Sequence, residues 1–197
     1  MKYYFMPYDP ANWKILVAQR EYAAVGAKAD NGQMLGMKKN AHSMRDDLEQ
    51  GILSTGVWFN PNNDKLKFCA DLKDQLWIRG HGMPGQDTIE GGRGGEKASS
   101  ATVAKRILDS GLPKSFSGAV VCYNCHSAES GPKGDPFAKR LGKALRDLGY
   151  KNCKVFGFLG AIDSYAKQGP NGKQIYARGK LQTILGTMDQ ATVQFHM

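Results

Sequence analysis

The sequence predicts an α/β fold built on a mostly parallel sheet, and three observations carry that expectation. From residue 75 onward, short apolar runs alternate with helical patterns in the order strand, helix, strand, helix, strand. That order calls for crossover connections between parallel strands. The chain has 197 residues, 41% of them hydrophobic, which suffices for one sizeable core. No internal repeat and no linker divides it, so residues 1–197 read as a single domain.

Taken in order, Trp13-Lys14-Ile15-Leu16-Val17-Ala18 reads as a strand. Residues 20–37 are rich in Ala, Gly and Met and favour no element. Residues 42–50 have a helical pattern that Gly51 would stop. Residues 56–59 and 65–69 flank Asn60-Pro61-Asn62-Asn63-Asp64, which is strong turn chemistry, so the pair reads as a hairpin. The N-terminal portion is therefore expected to be hairpin-rich and the sheet mixed.

Residues 75–79 form an apolar strand that runs into Gly80-His81-Gly82. Residues 85–97 carry Gly91, Gly92, Gly94 and Gly95 and read as a surface flap. They lack the Gly-Lys-Ser/Thr ending of a phosphate loop. Ser99 or Ser100 can cap a helix over 101–110, with Val103, Ile107 and Leu108 on one face, and Gly111 and Pro113 end it. Residues 119–123 read as a buried strand that stops at Asn124-Cys125-His126. Phe137, Leu141, Leu145 and Leu148 mark a helix over 137–148, ended by Gly149. Residues 153–159 are the next strand. Asn171-Gly172 suits a tight hairpin turn between the segments near Tyr165 and 175–177. Residues 191–195 read as a last strand.

Composition excludes several classes. A disordered tail, a collagen-like fibre and a coiled coil do not fit. No run of 18 apolar residues exists, so no membrane span is expected. The segment from Met1 to Pro10 has no apolar run of signal-peptide length. The expected location is the cytoplasm, or outside the cell by a dedicated export system that cleaves no signal peptide. Twenty-seven basic residues against 18 acidic ones give a net charge of +9, which favours anionic partners. The basic residues form scattered pairs such as Lys38-Lys39, Lys105-Arg106 and Lys139-Arg140, and no motif interleaves them with aromatics. Nucleic acid is therefore not the expected partner. Four cysteines are too few for a disulfide scaffold and are expected as reduced thiols.

The chemistry is expected at two strand ends. In open α/β sheets, functional residues gather at the carboxyl ends of the strands. Residues 75–79 lead to His81 and residues 119–123 lead to Cys125, with one helix between them. A single crossover would put both ends on one edge of the sheet and an imidazole near a thiol. The thiolate is the nucleophile, and a histidine can take the thiol proton. The amides of Gly82 and Cys125 are placed to stabilise the oxyanion that attack on a carbonyl creates.

These residues carry a resemblance. Trp77-Ile78-Arg79-Gly80-His81-Gly82 and Val121-Cys122-Tyr123-Asn124-Cys125-His126-Ser127-Ala128 resemble the His-Gly and strand-Cys motifs of the caspase-like (clan CD) cysteine peptidases. The self-processing protease domains of RTX and large clostridial toxins look closest. Phe137-Ala138-Lys139-Arg140-Leu141 is similar to the start of their next helix, and the resemblance covers roughly residues 65–165. It implies a three-layer α/β/α sandwich and a cysteine endopeptidase with His81 as acid-base and Cys125 as nucleophile. It also implies a protein or peptide substrate, no required metal or cofactor, and a role as a bacterial secreted effector or toxin-associated protease. Inositol hexakisphosphate, the activator of those toxin domains, would suit a chain of charge +9. Asp163 lies where relatives line the first specificity pocket, and an acid there would favour Lys or Arg before the scissile bond. Asp30, Asp64 and Asp71 are the candidates for orienting His81. His126 departs from the small or acidic residue many relatives carry.

Two other readings compete. A caspase-like scaffold can act as a silent effector or binding module on an acidic partner. Cys122-Tyr123-Asn124-Cys125-His126 also spells the attachment motif of a c-type haem, with His126 as axial ligand and Met34, Met37, Met83 or Met188 as the second. A thioredoxin-type redox pair fits less well, because Tyr123 lies in a strand. A zinc site would lack a second spaced pair of ligands. Cys69, Cys122 and Cys153 are expected as buried structural thiols, and His42 and His196 as surface or structural histidines.

Overall fold

A computed structural model describes residues 1–8, 54–59, 64–91, 95–163 and 166–196. The expected strand at 13–18, the segment 20–37, the helix at 42–50, Asp30 and His42 lie outside the described residues.

The main sheet has six strands: β1 (Lys2–Met6), β2 (Ser54–Trp58), β3 (Gln75–Arg79), β6 (Ala119–Tyr123), β7 (Lys154–Phe158) and β13 (Thr192–Phe195). Their order is β13-β7-β6-β3-β1-β2. Five run parallel, and β13 pairs antiparallel with β7. Helix α1 (Ser100–Asp109) joins β3 to β6 and helix α2 (Phe137–Asp147) joins β6 to β7. The expectation of a mixed, mostly parallel sheet therefore holds.

The register divides the sheet into two faces. Phe5, Ile78 and Cys122 share a row, as do Leu76, Val120 and Val155. All six are fully buried in one cluster with Val103 and Ile107 of α1 and Leu141 and Leu145 of α2. A Cβ on Gly157 would meet the Ala138 Cβ at 2.8 Å, so α2 lies close against this face. Full burial of each aliphatic side chain contributes about 1.5–3 kcal/mol. The opposite face is aromatic. Tyr4 meets Trp77 at 5.7 Å with tilted rings, and Trp77 meets Tyr123 at 5.0 Å and Tyr123 meets Phe158 at 5.9 Å edge to face. It is buried as well, as a strand run apolar on both faces requires.

The helix ends follow their local chemistry. The Ser99 hydroxyl accepts from the Thr102 amide at 3.1 Å, so Ser99 is the cap of α1. Gly149 ends α2 at φ +95°, a conformation that favours glycine. The first-turn amide of Ala138 in α2 donates to the Ser127 carbonyl at 3.0 Å, which ties the helix to the loop after β6.

The hairpin expected over 56–69 does not form. Residues 54–58 are a strand, but Lys65–Phe68 is a 3-10 turn whose one buried residue is Leu66. The chain must cross from β2 past β1 to reach β3, all parallel, and a tight hairpin cannot make that connection. The Asp64–Lys67 ion pair and the Lys67 amide bond to the Asp64 carbonyl close the turn instead. The described N-terminal strands β1 and β2 are parallel to each other and form no hairpin together, and residues 9–53 lie outside the described residues. The described part of the glycine-rich flap carries the two-stranded pair β4 (Thr88–Glu90) and β5 (Lys97–Ser99), seated by buried Ile89 and Ala98.

Past β7 the chain builds two small antiparallel units. Strands β8 (Ala161–Ile162), β11 (Tyr176–Arg178) and β12 (Ile184–Thr187) form one. Strands β9 (Lys167–Gly169) and β10 (Gly172–Gln174) form the other, a hairpin turning at Pro170-Asn171 close to where the sequence placed it. Among the described residues, no helix is long and apolar enough to cross a membrane.

Candidate active site

The parallel strands β1, β3, β6 and β7 all end on one edge of the sheet, and the loops leaving them meet there. The β3 loop is held first. His81 donates its amide to the Glu90 carbonyl at 2.7 Å and accepts from the Glu90 amide at 2.9 Å, a bridge to β4 that fixes the histidine backbone. Buried Tyr8 donates its hydroxyl to the Arg79 carbonyl at 3.1 Å and packs on Gly80. Any side chain at position 80 would collide with that ring.

The β6 loop is held from the other side. The Asn124 amide donates to the Cys122 carbonyl at 2.8 Å, which turns the chain sharply at the strand end. His126 then takes φ +58°, the left-handed region that costs a non-glycine residue about 1–2 kcal/mol. Its amide donates to the Gly160 carbonyl at 2.7 Å, and the Ala128 amide to the Phe158 carbonyl at 3.0 Å. Glu129 completes the clamp, with one carboxylate oxygen 3.1 Å from His126 Nδ1 and the other accepting from the Gly160 amide. Buried Ser127 donates to the Cys122 carbonyl at 2.8 Å and accepts from the Phe158 amide at 2.9 Å. Cys125 thus sits on a turn riveted to the end of β7.

The two loops touch. A Cβ on Gly82 would lie 2.5 Å from the Cys125 carbonyl oxygen and 2.8 Å from the Asn124 side-chain oxygen. Glycine is required at 82 because another backbone occupies that space. Neither the Gly82 amide nor the Cys125 amide has an acceptor among the described residues. Cys125 is a free, half-buried thiol whose sulfur faces the Ile162 amide at 3.4 Å. Beside it opens a cleft of about 230 Å³, counting the part open to solvent, lined by Arg79, Gly80, Tyr123, Asn124, Cys125, Ile162 and Asp163.

The cleft mixes charges. The Arg79 guanidinium lies over the Tyr123 ring at 4.1 Å. The Asp163 carboxylate is 9% exposed and is matched within the chain, by Lys167 at 2.8 Å and by Arg178 at 3.1 Å. Tyr123 donates to the Asp163 carbonyl at 3.2 Å, which pins that residue to the strand end. Asp163 is therefore beside Cys125 as expected, but two of the chain's own cations already hold its charge.

The other three thiols are shut away. Burial pushes Cys69 up to about 12, with Asp74 adding to the shift, and pushes Cys153 up to about 11. Burial also raises Cys122, which lies wholly inside the core.

Several expected partners are placed elsewhere. Asp64 packs against Gly111 at the far end of α1, and its hydrogen bond from Lys67 holds its carboxyl below the usual range. Asp71 accepts from the Lys73 amide and gives its carbonyl to Asp74, just before β3 begins. Both are at the amino edge of the sheet, opposite His81, so neither orients that histidine. The haem reading does not fit either. Attachment needs two accessible sulfurs and a histidine on one side, whereas Cys122 is 0% exposed on the helix-facing side of β6 and His126 is engaged by Glu129. Among the described residues, no three His, Cys, Asp or Glu side chains cluster as a metal site.

Sequence reasoning missed Asn124, Glu129 and Tyr8. Asn124 stood next to Cys125 and was read only as the place where the strand stops. Glu129 and Tyr8 act through partners 31 and 71 positions away, which no local pattern reveals. Neither a scan against protein-family models nor a search of curated proteins finds a match for this chain.

Proposed function

We propose that this chain is a cysteine endopeptidase with a caspase-like three-layer α/β/α architecture, using Cys125 as nucleophile and His81 as acid-base. The observation that carries the reading is the contact of two turns at the carboxyl edge of the sheet. The His81-Gly82 turn abuts the Asn124-Cys125 turn, and among the described residues the Gly82 and Cys125 amides have no acceptor.

The steps follow from that arrangement. His81 takes the thiol proton as the Cys125 sulfur bonds to the scissile carbonyl carbon. The carbonyl π pair moves to oxygen, where the Gly82 and Cys125 amides donate to it. Collapse of the adduct breaks the C–N bond, and His81 gives its proton to the departing amine. A water then attacks the thioester, with His81 taking its proton. The C–S bond breaks, the acid product leaves, and the thiol is restored.

Asp163 would lie in the pocket that receives the side chain before the scissile bond. Lys167 is the more exposed of its two cations, so a substrate lysine or arginine would displace it to reach the carboxylate. A polyanionic activator such as inositol hexakisphosphate suits the net charge of +9. The role of secreted effector or toxin-associated protease rests on the resemblance alone.

The test is cleavage itself. A peptide library is incubated with the wild-type protein and with Cys125→Ala, with and without inositol hexakisphosphate. New peptide termini that depend on Cys125 would support the peptidase. Equal fragment patterns from both proteins, with retained binding to an acidic partner, would favour the silent module.

A further inference from the structure

Asn124 occupies a place where a polar side chain carries a cost. It is 2% exposed, and among the described residues neither its carboxamide oxygen nor its nitrogen has a hydrogen-bond partner. Buried polar groups without partners are uncommon in folded proteins, and an apolar residue of the same shape would be neutral or stabilising. The backbone does not need asparagine here, because the bond that turns the chain comes from its main-chain amide. The carboxamide is nonetheless placed at a critical point. Its oxygen lies against Gly82, it adjoins Cys125 in sequence, and it lines the cleft.

We infer that Asn124 is a positioning residue, whose carboxamide sets the spacing between the His81-Gly82 turn and the Cys125 turn. It acts through His81 and the Gly82 amide, not on the substrate. The carboxamide oxygen packs against Gly82 beside the Cys125 carbonyl, at the contact between the two turns. Its unused donor and acceptor give the turns a polar contact to complete once the cleft is loaded. The residue is thus retained for the site at a cost to the fold, a known pattern at functional positions. The inference rests on the His81/Cys125 reading.

The experiment measures the iodoacetamide alkylation rate of Cys125 and the thermal midpoint in four proteins: wild type, Asn124→Leu, His81→Ala and the double variant. Asn124→Ala, which cannot overfill the site, replaces Asn124→Leu throughout if the latter does not fold. The expected result is a midpoint equal to or above wild type and an alkylation rate at least tenfold lower. Adding the Asn124 change to His81→Ala should lower the rate no further, because both act through one path. A lower midpoint with an unchanged rate would make Asn124 structural and overturn the inference. An additive double variant would overturn action through His81. If wild-type Cys125 is itself no more reactive than the other thiols, the dyad reading fails and this inference falls with it. If wild-type Cys125 is selective and the Asn124 variants match it, only this inference fails.

Discussion

Gly82 lies so close to Cys125 that a Cβ on the glycine would stand 2.5 Å from the cysteine carbonyl oxygen. Two residues in the separate loops that follow β3 and β6 are thereby held at backbone distance. His81 immediately precedes Gly82, so the turns that carry His81 and Cys125 are in contact.

Gly82→Ala should therefore harm both fold and site. The new methyl must push against the Cys125 carbonyl and the Asn124 oxygen, and backbone cannot yield cheaply. A loss of about 1–3 kcal/mol in urea unfolding is expected, the usual range for overpacking. Cys125 alkylation should fall with it. A variant with wild-type stability and reactivity would show that the two turns are not tightly held.

Ser127→Ala should cost roughly 1–3 kcal/mol in the same assay, because it orphans the Phe158 amide and removes a donor to the Cys122 carbonyl. The Cys125 turn would lose one rivet to β7 while Glu129 and His126 remain. An unchanged denaturation midpoint would contradict the hydrogen-bond assignment.

Alkaline pH should destabilise the protein through its buried thiols. Cys69 and Cys153 ionise near 9 in the unfolded chain and only at about 12 and about 11 when folded. Between those values the folded state keeps protons that the unfolded state releases. More protons are then bound in the native state, so unfolding free energy falls as pH rises. The contribution is fully present below pH ~8.5 and declines by roughly 1.4 kcal/mol per pH unit per thiol above it. Tyr150, pushed up to about 12 by burial, adds in the same direction above its ordinary value. Thermal midpoints should be level across neutral pH and drop from pH ~9. A midpoint that held steady to pH ~11 would contradict the burial of these groups.

Lys167→Ala should remove the more exposed of the two cations that hold the Asp163 carboxylate at the cleft. In the proposed peptidase this raises kcat/KM for peptides with lysine or arginine before the scissile bond by roughly tenfold, the value of one charge-assisted hydrogen bond. Asp163→Asn should remove the preference. Identical side-chain preferences in all three proteins would place specificity elsewhere.

The sheet core was legible because its strands are short runs apolar on both faces and its helices carry plain stop signals. Ser99 and Gly149 ended up where capping chemistry puts them. Strand β1 was missed for the same reason that it is buried: Tyr3, Tyr4, Phe5 and Met6 show no alternation. Residues 65–68 misled because Lys-Leu-Lys-Phe has the two-residue period of a strand. Its Phe68 is nonetheless exposed, and the crossover to β3 decides the local shape. His81 and Cys125 were legible as reactive residues at strand ends flanked by turn formers. The neutralisation of Asp163 was not, since Arg178 reaches it from β11, 15 positions away.

The most direct measurement is mass-spectrometric mapping of iodoacetamide labelling at neutral pH, in wild type and His81→Ala. Burial holds Cys69, Cys122 and Cys153 protonated, so selective labelling of Cys125 that slows at least tenfold in the variant is the predicted result. Slow labelling spread evenly over the four thiols, or a Cys125 rate indifferent to His81, would contradict the dyad.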